Sequence, residues 1–342
     1  MSESMRAVCI KDDKGPVENL YLGQIPKPTP NDDELLVQVK AFGLNRMDIM
    51  QREGAYPVPP HAPKTLGVEF SGPIVAVGKN VTAGSWKVGD EVIGLAGGGA
   101  YAEFIALPAT HVMRKPTGLS WVEAASIPEV YITAYLALVR IGELKEGEDV
   151  MVHAAASGVG IAAISLASLY KARTILATTS RQSKIDWLLK NTAATHGINY
   201  KTENFAERAR SITENKGVDV IIDFVAASHW NKNIESLALD GRMTMLATLG
   251  GGVVSESSLA PILYKRLKIQ GSTLRSRSIA FQADLIAEFS QNVLPYICPG
   301  NSDSDGHLRA HVYKIYPWTE IQDAQRCMAA DENIGKIVAE VV

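Results

Sequence analysis

The sequence predicts a two-domain α/β chain: an antiparallel β domain followed by a doubly wound α/β domain with a parallel sheet. Three observations predict it. The 342 residues exceed the roughly 100–200 that one domain usually occupies. The first third carries short Val-, Ile- and aromatic-rich runs bounded by Gly, Pro, Asn or Asp. Beyond residue 148, similar runs alternate with stretches of helical spacing.

In the first part the strand runs are residues 5–10, 34–41, 71–77, 91–95 and 101–107. Near Trp121 the pattern turns helical, with Ala124, Ala125, Ile127, Ala134, Leu136 and Leu138 on an apolar face that Pro128 interrupts. Then come strand 149–153, helix 159–170, strand 174–178, helix 184–190, strand 218–224, helix 230–237 and strand 242–246. Strands separated by helices cannot be hairpins, so the crossovers imply a parallel sheet covered on both faces. The tail holds a strand at 269–272, a long helical stretch at 279–297, a helix at 318–330 and a closing strand at 337–342. It is expected to return to the first domain, giving domain limits of 1–124 with 270–342, and 125–269.

Composition excludes several classes. With 46% hydrophobic and 21% charged residues, the chain is not of the disordered type. A formal charge of −3 offers no net attraction to nucleic acid. Cys9, Cys298 and Cys327 are too few for a disulfide framework or a cysteine-based zinc module, which suits a reducing, cytoplasmic compartment. The start mixes acidic and basic residues without an apolar stretch, and no apolar run approaches the roughly 20 residues of a membrane span, so neither secretion nor a membrane is expected.

The segment Val150-Met151-Val152-His153-Ala154-Ala155-Ala156-Ser157-Gly158-Val159-Gly160 leads from an apolar strand through small residues into a helix. Such a turn lets backbone N–H groups approach a pyrophosphate, and the following strand arrives in the order a dinucleotide site requires. Two registers satisfy the fingerprint: Gly158, Gly160 and Ala163, or Ala155, Ser157 and Gly160. The second strand ends Thr178-Thr179-Ser180-Arg181-Gln182-Ser183-Lys184, without the carboxylate that usually accepts an NAD ribose hydroxyl. Its hydroxyls and the cations Arg181 and Lys184 suit a 2′-phosphate, which points to NADPH.

These residues, with Gly67-Val68-Glu69-Phe70-Ser71-Gly72, Trp86-Lys87-Val88-Gly89-Asp90, Leu44-Asn45-Arg46-Met47-Asp48, Ile127-Pro128-Glu129 and Asn333-Ile334-Gly335-Lys336, resemble the medium-chain dehydrogenase/reductase superfamily. Within it the pattern is similar to zinc-free NADPH:quinone oxidoreductases of the p53-inducible type. The resemblance implies a GroES-like antiparallel β domain and a Rossmann domain. Zinc relatives carry Cys where this chain has Asn45 and His where it has Val68, so metal ligands are not expected. Carried over by position, Asn45 and Thr133 would lie near the nicotinamide and Ser157, Gly158 and Val159 at the pyrophosphate. Ser180, Lys184 and Tyr200 would surround the 2′-phosphate. Val225, Leu249, Gly250, Ser276 and Asn333 would add further cofactor contacts.

Tyr56, in a turn-rich loop, either orients the acceptor with Asn45 or is an exposed turn aromatic. The implied activity is hydride transfer from NADPH to quinones or related activated carbonyls, by a homodimer. A one-electron route fits equally. The alternatives are an enoyl-thioester or alkenal reductase, or a low-turnover NADPH-sensing or RNA-binding protein. Residues 301–306 imitate a calcium loop but have Val312 where the last ligand should stand, and His307 with His311 lacks a third ligand. The cations at 265, 266, 268, 275 and 277 read as a solvated face or donors beside the cofactor.

Overall fold

The computed structural model describes residues 3–60, 62–82, 85–299 and 308–342. The loop at 301–306 and His307 lie outside these. Two compact units are present: residues 3–129, 275–299 and 310–342 form one, and residues 130–274 with Leu308 and Arg309 the other. Both main boundaries fall a few residues later than the sequence pattern suggests. Glu129 N–H bonds to Glu69, and Arg275 bonds to Gln51 and Gly97, which ties both residues to the first unit.

In the first unit, Ser4–Ile10 pairs antiparallel with Leu20–Pro26. A larger sheet joins Glu34–Gln38, Ala41–Gly43, Glu69–Val77, Glu91–Leu95, Phe104–Pro108 and Val112–Arg114, all antiparallel, and Lys336–Glu340 closes onto Ala41–Gly43. One edge departs from the antiparallel expectation. Val312–Pro317 runs parallel to Lys336–Glu340, because helix Ile321–Ala329 intervenes between them. The sequence pattern missed this strand, which exposes Tyr313, Lys314 and Ile315 and ends in a proline, as an edge strand tolerates. The core gathers Phe42, Phe70, Tyr101 and Trp318, with Phe42 and Tyr101 stacked at 4.2 Å.

The second unit contains β1 (Asp149–Val152), α1 (Gly158–Leu169), β2 (Thr174–Thr179), α2 (Gln182–Asn191), β3 (His196–Asn199), α3 (Phe205–Ile212), β4 (Val218–Asp223), α4 (Trp230–Ser236), β5 (Leu237–Met245) and β6 (Lys268–Gly271). The sheet is wholly parallel, in the order β3-β2-β1-β4-β5-β6. This is the doubly wound dinucleotide-binding topology. Strands β1, β2 and β4 are buried at every residue, which explains why the middle of each is apolar without alternation, with polar residues mostly toward the ends. The sequence reading passed over β3 and α3. β3 buries only Ile198 and Asn199, and α3 only Phe205, Ala206 and Ala209, too few for a strong period.

Pro128 begins a helix, Pro128–Tyr135, where its missing N–H has no intrahelical acceptor to lose. The helical run Trp121–Ile141 has 21 residues of mean hydropathy 1.3, long and apolar enough to cross a bilayer, contrary to the sequence expectation. Its apolar window is 83% buried within the protein, so packing accounts for the composition.

Candidate active site

The turn after β1 is built around three residues, Ser157, Ala154 and Gly160. Ser157 caps α1, its Oγ accepting Gly160 N–H at 3.0 Å, while its own N–H donates to Ala154 O at 2.9 Å. Ala154 takes a left-handed φ of 45°, turning the chain sharply out of the strand. A Cβ on Gly160 would stand 2.6 Å from Ala154 O and 2.7 Å from Ala155 O. Gly160 therefore holds the helix-packing position of the fingerprint, which favours the register Ala155, Ser157, Gly160 over the literal one. Ser157, Gly158 and Val159 remain partly exposed at the head of a 12-residue helix, so this cradle fits a pyrophosphate.

Strands β2 and β3 are neighbours, and Tyr200 N–H donates to Thr179 O at 3.1 Å. Ser180 follows β2, Arg181 precedes the first turn of α2 and Lys184 lies within it. These residues and Tyr200 thus cluster at the carboxyl ends of two adjacent strands. Beyond β4, Val225 N–H donates to Asp223 Oδ1 at 2.7 Å, Leu249 N–H to Phe224 O at 3.0 Å and Gly250 N–H to Val225 O at 2.7 Å. Val225, Leu249 and Gly250 therefore form one backbone-linked group, with Leu249 exposed. Thr133 is half-buried in its helix.

Behind this edge lies a buried polar cluster that the sequence reading did not find. His153 Nδ1 is 2.7 Å from Thr178 Oγ1 and its Nε2 is 2.7 Å from Asn233 Oδ1. His229 packs edge-on against both His153 and Tyr200. Burial pushes each imidazole down to about 4.

The first unit holds Asn45, Tyr56, Ser276 and Asn333. Asn45 is anchored on every side: its N–H donates to Asp48 Oδ2 at 2.8 Å, its Nδ2 to Glu69 Oε1 at 2.9 Å, and its Oδ1 accepts from Lys336 Nζ at 2.6 Å. Lys336 also donates to Leu44 O and pairs with Glu69 Oε1, each at 2.6 Å. The ammonium thus has three acceptors, and Glu69 is wholly buried. A divalent metal does not fit here. The ammonium already holds the carboxylate and the amide oxygen, and Val68 supplies no donor. Among the described residues no group of three or more His, Cys, Asp or Glu is arranged to hold a metal ion.

Around this pair stand two carboxyls displaced upward. Burial raises Asp48 to about 6, against hydrogen bonds from Asn45 N–H and Tyr101 OH. Burial, then the charge of Glu69, raises Glu129 to about 7. Tyr56 is half-buried, its ring 5.7 Å from the Arg275 guanidinium, and burial followed by the Glu129 charge raises its phenol. Ser276 is exposed, and Asn333 Nδ2 is turned onto Gly335 O at 2.7 Å.

Several of these groups stood inside the quoted motifs: Glu129 after Pro128, Lys336 after Gly335, Asp48 after Met47. Nothing local marked them as one cluster. The cations expected on a solvated face divide: Arg266 and Lys268 are exposed and ion-paired, whereas Lys265 and Arg275 turn inward. Lys265 donates to three carbonyls at the end of α4, Arg266 pairs with Asp240, Lys268 pairs with Glu143, and Arg275 is buried.

Comparison with known proteins agrees with this architecture. The family model described as alcohol dehydrogenase GroES-like domain matches residues 31–117, and that described as zinc-binding dehydrogenase matches residues 158–291. The synaptic vesicle membrane protein VAT-1 homolog of Danio rerio is 33% identical over 91% of this chain, which spans 65% of that relative's length. The quinone oxidoreductase of Homo sapiens is 34% identical over 72% of this chain and 74% of its own. The crystal structure of the CurK enoyl reductase matches with a TM-score of 0.84 at 28% identity, covering 99% of both chains. With a GroES-like domain and a Rossmann-type sheet in this order, the chain belongs to the medium-chain dehydrogenase/reductase superfamily, oxidoreductases that bind a nicotinamide dinucleotide.

Proposed function

We propose that the protein is a zinc-independent, NADPH-dependent reductase of quinones or related activated carbonyl acceptors. The observation that carries this reading is the Lys336 ammonium held among Asn45, Leu44 and Glu69. A cation of the protein's own stands beside the residues that would have to ligate zinc. Without a Lewis acid, oxidation of an alcohol lacks a means of stabilising an alkoxide, whereas an electron-poor acceptor needs chiefly a positioned hydride and a proton.

NADPH when bound supplies that hydride. The backbone at Ser157, Gly158 and Val159 binds the pyrophosphate, and Ser180, Arg181, Lys184 and Tyr200 receive the 2′-phosphate. No carboxylate stands between the end of β2 and Lys184 to reject it. Val225, Leu249 and Gly250 wall the nucleotide, with Thr133, Ser276 and Asn333 completing its contacts. Asn45 keeps its amide rigid and Tyr56 orients the acceptor. Similarity to the human quinone oxidoreductase supports the acceptor class.

A second reading, reduction of enoyl thioesters or alkenals, is favoured by the near-complete overlap with the CurK enoyl reductase. Steady-state NADPH oxidation against a quinone panel, crotonyl thioesters and alkenals separates the two. Faster turnover of quinones supports the first, and turnover confined to thioesters replaces it with the second. The reading includes a reducing cytoplasmic setting and a homodimer formed through β6, an edge strand paired on one side by β5.

A further inference from the structure

Arg275 is only 4% exposed, yet one arm of its guanidinium is idle. Nε donates to Gly97 O at 2.6 Å and Nη1 to Gln51 Oε1 at 2.7 Å, while Nη2 has no partner in the protein. Asp48 and Glu129 act on it through space, but neither hydrogen-bonds to it. Asp48 is already engaged by Asn45 N–H and Tyr101 OH. The residue next to Nη2 is a glycine: a Cβ on Gly98 would stand 3.3 Å from that nitrogen. The centre of the Tyr56 ring lies 5.7 Å from the guanidinium carbon. A buried, charged donor left unpaired is costly, and its retention calls for a ligand that completes it.

We propose that Arg275 is the oxygen-binding group of this enzyme: Nη2 receives the carbonyl oxygen of a conjugated acceptor while the Tyr56 ring lies against the acceptor's flat face. This rests on the reductase reading above and adds what that reading lacks, a group that takes up the charge. As the hydride forms a bond to the electrophilic carbon, the π pair moves to oxygen, giving an enolate; from a quinone this is the enolate of the keto tautomer, which becomes hydroquinone when the proton on that ring carbon shifts to oxygen. The guanidinium keeps its own protons and stabilises that oxyanion as a fixed charge in a water-poor site. One proton from solvent, passed through the Tyr56 hydroxyl, completes the two-electron reduction. A planar acceptor with an oxygen at one end fits this pair; a simple alkene without a carbonyl does not.

The test uses 4-nitrophenol, a stable stand-in for the oxyanion, titrated by absorbance against the full chain. The bound phenol is expected to ionise at least one pH unit lower than the free phenol, a tenfold preference for phenolate. Arg275→Met should abolish the shift and Arg275→Lys should keep part of it. In turnover, Arg275→Met should lower kcat at least 100-fold and leave the KM for NADPH unchanged. A wild-type protein that binds no phenol, or binds phenol and phenolate equally, overturns the proposal without recourse to any variant, as does an undiminished shift in Arg275→Met. An intact shift with no NADPH oxidation by any acceptor would overturn the reductase reading instead, leaving an oxyanion site of another purpose.

Discussion

Lys184 sits in the first turn of α2, where the helix dipole disfavours a cation unless an anion is nearby. Replacing it with alanine should weaken NADPH binding about tenfold, the worth of one charge-assisted hydrogen bond, and leave NADH nearly unchanged. Titration calorimetry with both nucleotides checks this; equal losses would count against a 2′-phosphate site. Glu129 makes a second prediction, with the sign set by its raised value. Its folded carboxyl holds a proton up to about 7, while the unfolded one releases it near 4.5. Its stabilising contribution is therefore present below the unfolded value and is lost as pH rises through about 7. Relative to wild type, Glu129→Gln should gain stability from pH 4.5 to 7.5, on the order of 3 kcal/mol, then level off. Urea midpoints across that range measure it.

At the scale of elements, the β1–α1 junction tolerates little. Gly160→Ala would press a methyl carbon onto Ala154 O and Ala155 O, both backbone atoms that cannot swing aside. We expect about 1–3 kcal/mol of destabilisation with weaker nucleotide binding, whereas Gly89→Ala, whose Cβ would meet nothing within 4 Å but whose φ of 92° strains an alanine, should lose stability yet leave nucleotide binding intact. Thermal melts with and without NADPH distinguish the two. This junction was legible in the sequence because strand, small-residue turn and helix are contiguous. Its register was not, since both registers share Gly160 and only the packing of that residue separates them.

For the whole molecule, the buried His153–His229 pair sets an acid limit. Both imidazoles fall to about 4 in the fold, so their contribution is complete above the ordinary value of 6.5 and is lost as pH falls toward 4. His153 alone accounts for roughly 3 kcal/mol across that window. His153→Gln should be less stable at pH 7 but show a shallower acid slope, read by urea denaturation. Assembly makes the other molecular prediction. β6 is an edge strand, and Leu249, Val253, Leu259, Leu263 and Tyr264 are exposed in the segment leading to it. Light scattering after gel filtration should give twice the 36.9 kDa chain mass, and Gln270→Pro, placed in the edge strand, should shift it to monomer.

By itself the sequence determined the alternation of strands and helices, the parallel sheet and the phosphate turn, though not every element of either unit. These follow from hydrophobic period and turn chemistry, which act between residues close along the chain. The return of the tail was also legible as a final apolar strand. Only the tertiary structure decided what the charged residues do. Lys336 reaches Asn45 across 291 positions and Arg275 reaches Gln51 across 224, and no local spacing records such pairings. A buried charge is defined by its partners, and the partners are chosen when the chain folds.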